Sequence, residues 1–139
     1  MIKKKIGCFW YAAKAIDDFI AEMGARHVGD IKELTDLVHP TIGLITSVGP
    51  QHLETFGNIE TVAKTKNELI EALPHDGVGF FASDGAWVDK LYKKAKNEKY
   101  ISGIGEGYDL SATDIETGDF GSRFTLVSKE GERLRVETK

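Results

Sequence analysis

Ile42-Gly43-Leu44-Ile45-Thr46-Ser47-Val48-Gly49-Pro50 is the stretch on which the fold depends. Its opening residues are almost continuously apolar, the pattern of a strand covered on both faces, and such strands belong to parallel sheets. The Gly-Pro pair then ends the run sharply. Working outward, three more short apolar runs occur at Phe19 to Met23, Gly77 to Ala82 and Tyr100 to Ile104. Helical patterns at about 29 to 38, 58 to 73 and 86 to 97 separate them. This alternation predicts an α/β fold with a mostly parallel sheet and flanking helices, and places the Ile42 run at the sheet centre.

After Gly107 the pattern changes to alternation with polar turns. Phe124-Thr125-Leu126-Val127-Ser128 and Arg133-Leu134-Arg135-Val136 flank Lys129-Glu130-Gly131-Glu132, which predicts a hairpin. With Leu110 to Ile115 before it, the hairpin makes a small antiparallel β-sheet appended to the α/β layer. Three parts follow. Residues 1–16 fit neither a clean amphipathic helix nor a strand, 17–107 form the α/β part, and 108–139 form an antiparallel subdomain expected to be truncated, because its last strand runs to Lys139 without a terminating signal.

Bulk properties narrow the function. A 139-residue chain that is 41% apolar has enough material for one cored domain. Its net charge of −4 is spread among interspersed acids and bases, so no basic stripe exists to track nucleic acid. Cys8, the one cysteine, cannot form an internal disulfide, which fits a reducing compartment. The basic start Met1 to Lys5 mimics a leader, but Lys14, Asp17 and Asp18 cut its apolar stretch short, and no run approaches the roughly 20 apolar residues of a membrane span. A cytoplasmic protein without membrane contact is expected.

The sharpest chemical signal lies in the helix at 58 to 73. Ile59, Val62, Ala63, Leu69, Ile70 and Leu73 form one apolar stripe, and Lys66 falls in its middle while Lys64 points the other way. An inward lysine is paired, neutralised or chemically modified, because a bare buried ammonium is costly. Alternatively, it snorkels to water along its stem. His52 follows the Ile42 run on the loop where open α/β sheets place ligands, although a loop histidine is also an ordinary surface residue. Glu22 stands near the end of an apolar run, either as a hard-oxygen ligand for Mg²⁺ or as a strand-terminal acid. Gly24 permits a tight turn, and Asp30 is a first-turn acid favoured by the helix dipole. Gly103 to Gly107 lacks phosphate-loop spacing and precedes a strand, while His27, His39 and His75 read as loop residues.

Glu22-Met23-Gly24-Ala25-Arg26-His27-Val28-Gly29-Asp30-Ile31, Thr46 to Gly57 with its Gly49-Pro50-Gln51-His52-Leu53-Glu54 core, and Ala63 to Leu69 together resemble the central domain of the Mur ligases. The Gly-Pro-x-His-Leu-Glu form resembles the branch that adds D-alanyl-D-alanine, and disfavours folylpolyglutamate synthase. The resemblance covers about residues 18 to 139. It implies an ATP-dependent, ADP-forming amide ligase of peptidoglycan synthesis that joins D-alanyl-D-alanine to UDP-N-acetylmuramoyl-tripeptide through an acyl phosphate. It further implies that Glu22, His52 and Lys66 hold Mg²⁺, with Lys66 carbamylated and with His52 and Lys66 as the catalytic pair.

In that family a phosphate-binding loop precedes the Glu22 motif, and a separate C-terminal domain follows the central one. No Gly-x-x-x-x-Gly-Lys-Ser/Thr occurs in these 139 residues, so no cofactor-binding residues are identified for the ATP phosphates. The expectation is a ligase fragment inactive by itself. Two other readings are a non-catalytic Mg²⁺ or nucleotide-binding module, and a folded remnant that self-associates through its sheet edge.

Overall fold

The computed structural model describes residues 19–119 and 121–139. The unassigned segment 1–16 and the leader-like start lie outside them. Chain order is α1 (Asp30–Val38), β1 (Ile42–Ile45), α2 (Leu53–Phe56), α3 (Ile59–Glu71), β2 (Val78–Ala82), α4 (Ala86–Lys94), β3 (Glu98–Ile104), β4 (Leu110–Gly118), β5 (Gly121–Ser128) and β6 (Arg133–Thr138). All six strands form one sheet in the order β1-β2-β3-β4-β5-β6. Strands β1 to β4 are parallel, and β4 to β6 pair antiparallel. The antiparallel part therefore continues the α/β sheet edge to edge, because Ser102 pairs with Leu110 and Ile104 with Ala112.

The three long helices form where periodicity predicts them. On α3 the stripe buries Val62, Ala63 and Ile70, with Leu73 just beyond its end, while Lys64 is exposed. Asn58 starts this helix, its Oδ1 accepting from the Thr61 amide at 2.9 Å and from the Thr61 hydroxyl at 3.1 Å. Losing that cap leaves a helix-end N–H without its partner. Asn58→Ala is expected to cost about 1 kcal/mol, seen as a lower urea midpoint with an unchanged slope.

Two strand expectations are corrected. Phe19 to Met23 is irregular backbone, because an apolar run becomes a strand only with a neighbour to complete its ladder, and among the described residues β1 pairs with β2 alone. Among the described residues the Ile42 run is an edge strand. Only Gly43 and Ile45 face the helices, while Ile42 and Leu44 are 62% and 55% exposed. The glycine has a packing reason, since a Cβ there would meet Leu69 at 3.1 Å and Ile70 at 3.3 Å. Helix α2 was not expected, being only four residues long.

The core lies between the sheet and the α3/α4 layer, built from Ile45, Val62, Ile70, Phe81, Val88 and Leu91. Asp109 fastens the junction of the parallel and antiparallel parts. Its Oδ2 accepts from the Ile101 amide at 2.9 Å, and its Oδ1 accepts from Lys129 Nζ at 3.1 Å. The Ile101 amide first, then the Lys129 ammonium, hold this carboxyl below the usual range against the opposing effect of desolvation. A lowered folded pKa gives stability that is present above the unfolded value of about 4 and is lost as pH falls through the folded value. Thermal melts between pH 5 and 3 are therefore expected to show a smaller acid-induced fall in Asp109→Asn than in the parent.

Candidate functional site

Lys66 lies half-buried on α3, and its Nζ donates to the Ser47 carbonyl at 2.7 Å. That carbonyl belongs to the loop leaving β1. Burial lowers the Lys66 pKa, and the charge of Asp84, on the loop leaving β2, partly opposes the shift. The inward lysine thus sits where the carboxyl ends of two parallel strands open, as ligand sites in such sheets do. The Ser47 carbonyl gives the inward ammonium a hydrogen-bond partner. Spacing could not associate Asp84 with Lys66, because its influence crosses between α3 and the loop leaving β2.

His52 ends the same β1 loop and is the N-cap of α2, with a left-handed φ of +51°. Non-glycine residues seldom adopt this conformation, and where they do it is commonly held by surrounding structure at a functional loop. Its Nδ1 lies 3.5 Å from Glu54 Oε1. Gly24, Ala25, Arg26, His27 and Asp30 join His52 around a cavity of about 590 Å³. His27, expected as a plain loop residue, is part of this wall.

The loop that forms the wall is held from several sides. Asp30 Oδ2 accepts from the Arg26 amide at 2.8 Å and the His27 amide at 2.9 Å. The Thr55 hydroxyl donates to the Arg26 carbonyl, tying the loop to α2. From α3, Glu68 accepts from the Gly29 amide at 3.1 Å and the Lys32 amide at 2.9 Å, supplying the N-terminal cap that α1 lacks from its own side chains. Asp30 therefore does more than favour the dipole. The spacing Arg26-His27-x-x-Asp30, a carboxylate three and four residues past two amides, is the signal that sequence reading passed over.

Glu22 is exposed in the irregular segment before this loop and is not among the residues lining the cavity. The structure brings His52 together with the Gly24–Asp30 loop, and Lys66 with Ser47. Gly103 serves packing, its missing Cβ leaving room for the Tyr108 ring. A second hollow of about 420 Å³, between α1 and α3, is lined by Lys32, Asp36, His39, Glu68 and Glu71, and none of the expected site residues reaches it. Among the described residues no group of three His, Cys, Asp or Glu is gathered to hold a metal, and no helix is long and apolar enough to cross a membrane.

Residues 8–139 match the family model of the Mur ligase middle domain. The chain belongs to this family. Over 115 residues it is 35% identical to the UDP-N-acetylmuramoyl-tripeptide–D-alanyl-D-alanine ligase of Haemophilus influenzae, a match covering 81% of this chain and 24% of that protein. The same-named ligase of Escherichia coli is 30% identical over 117 residues, covering 83% and 26%. Among solved structures, MurF from Acinetobacter baumannii superposes with a TM-score of 0.70 at 27% identity, covering 82% of this chain and 25% of that one. This Mur ligase middle domain thus spans about a quarter of the length of the curated relatives it matches.

The family's chemistry makes magnesium the metal to test against these residues. Glu22 offers the hard oxygen that Mg²⁺ prefers, and His52 an imidazole nitrogen. As an ammonium, Lys66 repels a divalent cation. A magnesium set built from these three would need an acidic group on Lys66 and the approach of Glu22, which does not line the His52 cavity.

Proposed function

We propose that this chain supplies the middle-domain half-site of an ATP-dependent ligase of peptidoglycan synthesis, acting in the cytoplasm. The intact enzyme joins D-alanyl-D-alanine to UDP-N-acetylmuramoyl-tripeptide. ATP transfers its terminal phosphoryl group to the tripeptide carboxylate, giving an acyl phosphate and ADP. The dipeptide amine then attacks the acyl carbon and phosphate leaves. Bound magnesium neutralises charge on the transferring phosphoryl group.

The observation that carries the reading is the inward Lys66. A lowered pKa leaves more of its amine neutral near physiological pH, the form that attacks carbon dioxide. The nitrogen lone pair forms the N–C bond, a proton leaves to solvent, and a carbamate replaces the cation. Glu22, His52 and carbamylated Lys66 are then the residues that would hold magnesium. Asp30 and Thr55 orient the loop that faces His52. The 139 residues by themselves contain no phosphate loop and are expected to release no phosphate from ATP.

A chimera tests the proposal. Residues 18–139 replace the matching segment of the Haemophilus influenzae ligase, and phosphate release is followed with Mg-ATP and both substrates. Release that requires the nucleotide tripeptide and D-alanyl-D-alanine together is expected. A folded chimera that binds ATP yet releases phosphate with neither substrate dependence nor amide product contradicts it. Glu22-dependent Mg-ATP binding without ligation would instead identify a binding module.

A further inference from the structure

Lys66 and Glu68 stand two residues apart on α3, about 200° around the helix from one another, and each holds a different part of the chain. Lys66 holds the Ser47 carbonyl of the loop leaving β1. Glu68, half-buried, holds the start of α1, its Oε1 accepting from the Gly29 amide at 3.1 Å and its Oε2 from the Lys32 amide at 2.9 Å. A helix cap usually comes from the residue at the helix end itself. Gly29 has no side chain to cap with, and this cap comes from 39 and 36 residues away. Besides satisfying two amides, a cap supplied by another helix fixes where α1 begins relative to α3.

The contacts close into a ring. On α1, Asp30 Oδ2 accepts from the Arg26 and His27 amides. The Arg26 carbonyl accepts from the Thr55 hydroxyl on α2, whose N-cap is His52. From His52 the chain runs back through Pro50 and Gly49 to Ser47, and so to Lys66. The ring thus begins and ends on α3, and four of its members, Arg26, His27, Asp30 and His52, line the His52 cavity. Glu68 is its strong link. Both of its bonds are charge-assisted, and a carboxylate is favoured at a helix N-terminus. Two oxygens on two amides set orientation as well as distance.

We propose that Glu68 is a positioning residue of the ligase site. By capping α1 from α3, it sets the Gly24–Asp30 loop, which follows Glu22 and faces His52, against the helix that carries Lys66. This role rests on the ligase reading for its chemistry and on the hydrogen bonds for its geometry. Its loss costs precision rather than the fold, because Ile31 and Thr35 keep α1 anchored as buried residues. Precision matters to rate, since a displacement of about 1 Å in a site can cost on the order of 100-fold.

Two measurements on Glu68→Ala and Glu68→Gln test the proposal. Glu60→Ala is the control, removing an exposed α3 carboxylate paired with Lys64. Glutamine keeps one acceptor oxygen and sets an NH₂ against the other amide, so its effects should fall between alanine and the parent. In the full 139-residue chain, hydrogen exchange followed by NMR is expected to quicken roughly tenfold or more in Glu68→Ala at Gly29 and Lys32. It should quicken likewise at Arg26 and His27, whose amides bond to Asp30 and not to Glu68, and stay unchanged within α4. Quickening confined to Gly29 and Lys32 overturns the proposal, because Glu68 is then a local cap. Quickening that extends to α4 overturns it too, because the loss is then of global stability. In the chimeric ligase, Glu68→Ala is expected to lower kcat roughly tenfold or more, with KM for ATP within about twofold, since the phosphate loop comes from the host enzyme. A fall in kcat no larger than that of Glu60→Ala overturns the positioning role. A parent chimera that fails to ligate sinks the ligase reading by itself, and exchange at Arg26 and His27 still decides whether Glu68 holds the loop.

Discussion

Lys66→Ala, placed in the chimeric ligase, is expected to lower phosphate release by at least about 100-fold, the scale on which removal of one transition-state stabiliser is felt. The helix should survive, because alanine is a good helix former and Lys66 contributes one hydrogen bond to a loop carbonyl rather than a core contact. The loss is chemical. If the residue acts as an anionic oxygen ligand, formate or acetate diffusing into the vacated space should restore part of the rate, and Lys66→Arg, a permanent cation, should be as inactive as Lys66→Ala. A merely structural role for the lysine predicts the reverse, with arginine tolerated and no rescue by carboxylates.

Phe81→Ala is expected to produce the largest loss of stability, about 3 to 5 kcal/mol. Phe81 is 1% exposed at the centre of the core, and its ring meets Tyr92 edge-on at 5.6 Å. Gly79 brings the backbone against the same ring at a distance where no Cβ would fit without adjustment. The surroundings are thus shaped to the phenyl group and collapse poorly around alanine. Domains are stable by only about 5 to 15 kcal/mol. The variant should therefore be largely unfolded at 37 °C, visible as a lost urea transition, while Phe81→Leu should retain a cooperative one.

Legibility in the sequence followed the range of the interactions involved. The three long helices and the C-terminal hairpin rest on local periodicity and turn chemistry, and their positions hold to within a few residues. Lys66 was readable for the same reason, since its inward aspect follows from 3.6-residue spacing against Ile59, Ile70 and Leu73. Sheet order was not. Among the described residues the Ile42 run carries the composition of a central strand yet pairs on one side only, and Phe19 to Met23 has a strand's composition without a ladder to join. Composition reports what a residue can bury, not which neighbour is present to bury it. The Asp84 influence on Lys66 and the Glu68 cap on α1 depend on contacts between elements far apart in the chain, and no spacing rule reaches them.

Carbon-13 NMR of the purified 139-residue chain, equilibrated with ¹³C-bicarbonate and titrated with pH, tests the central claim most directly. The account predicts a carbamate signal beside that of the α-amino group, and its absence from Lys66→Arg. A folded chain whose carbamate signals at every pH are the same as those of Lys66→Arg would contradict it.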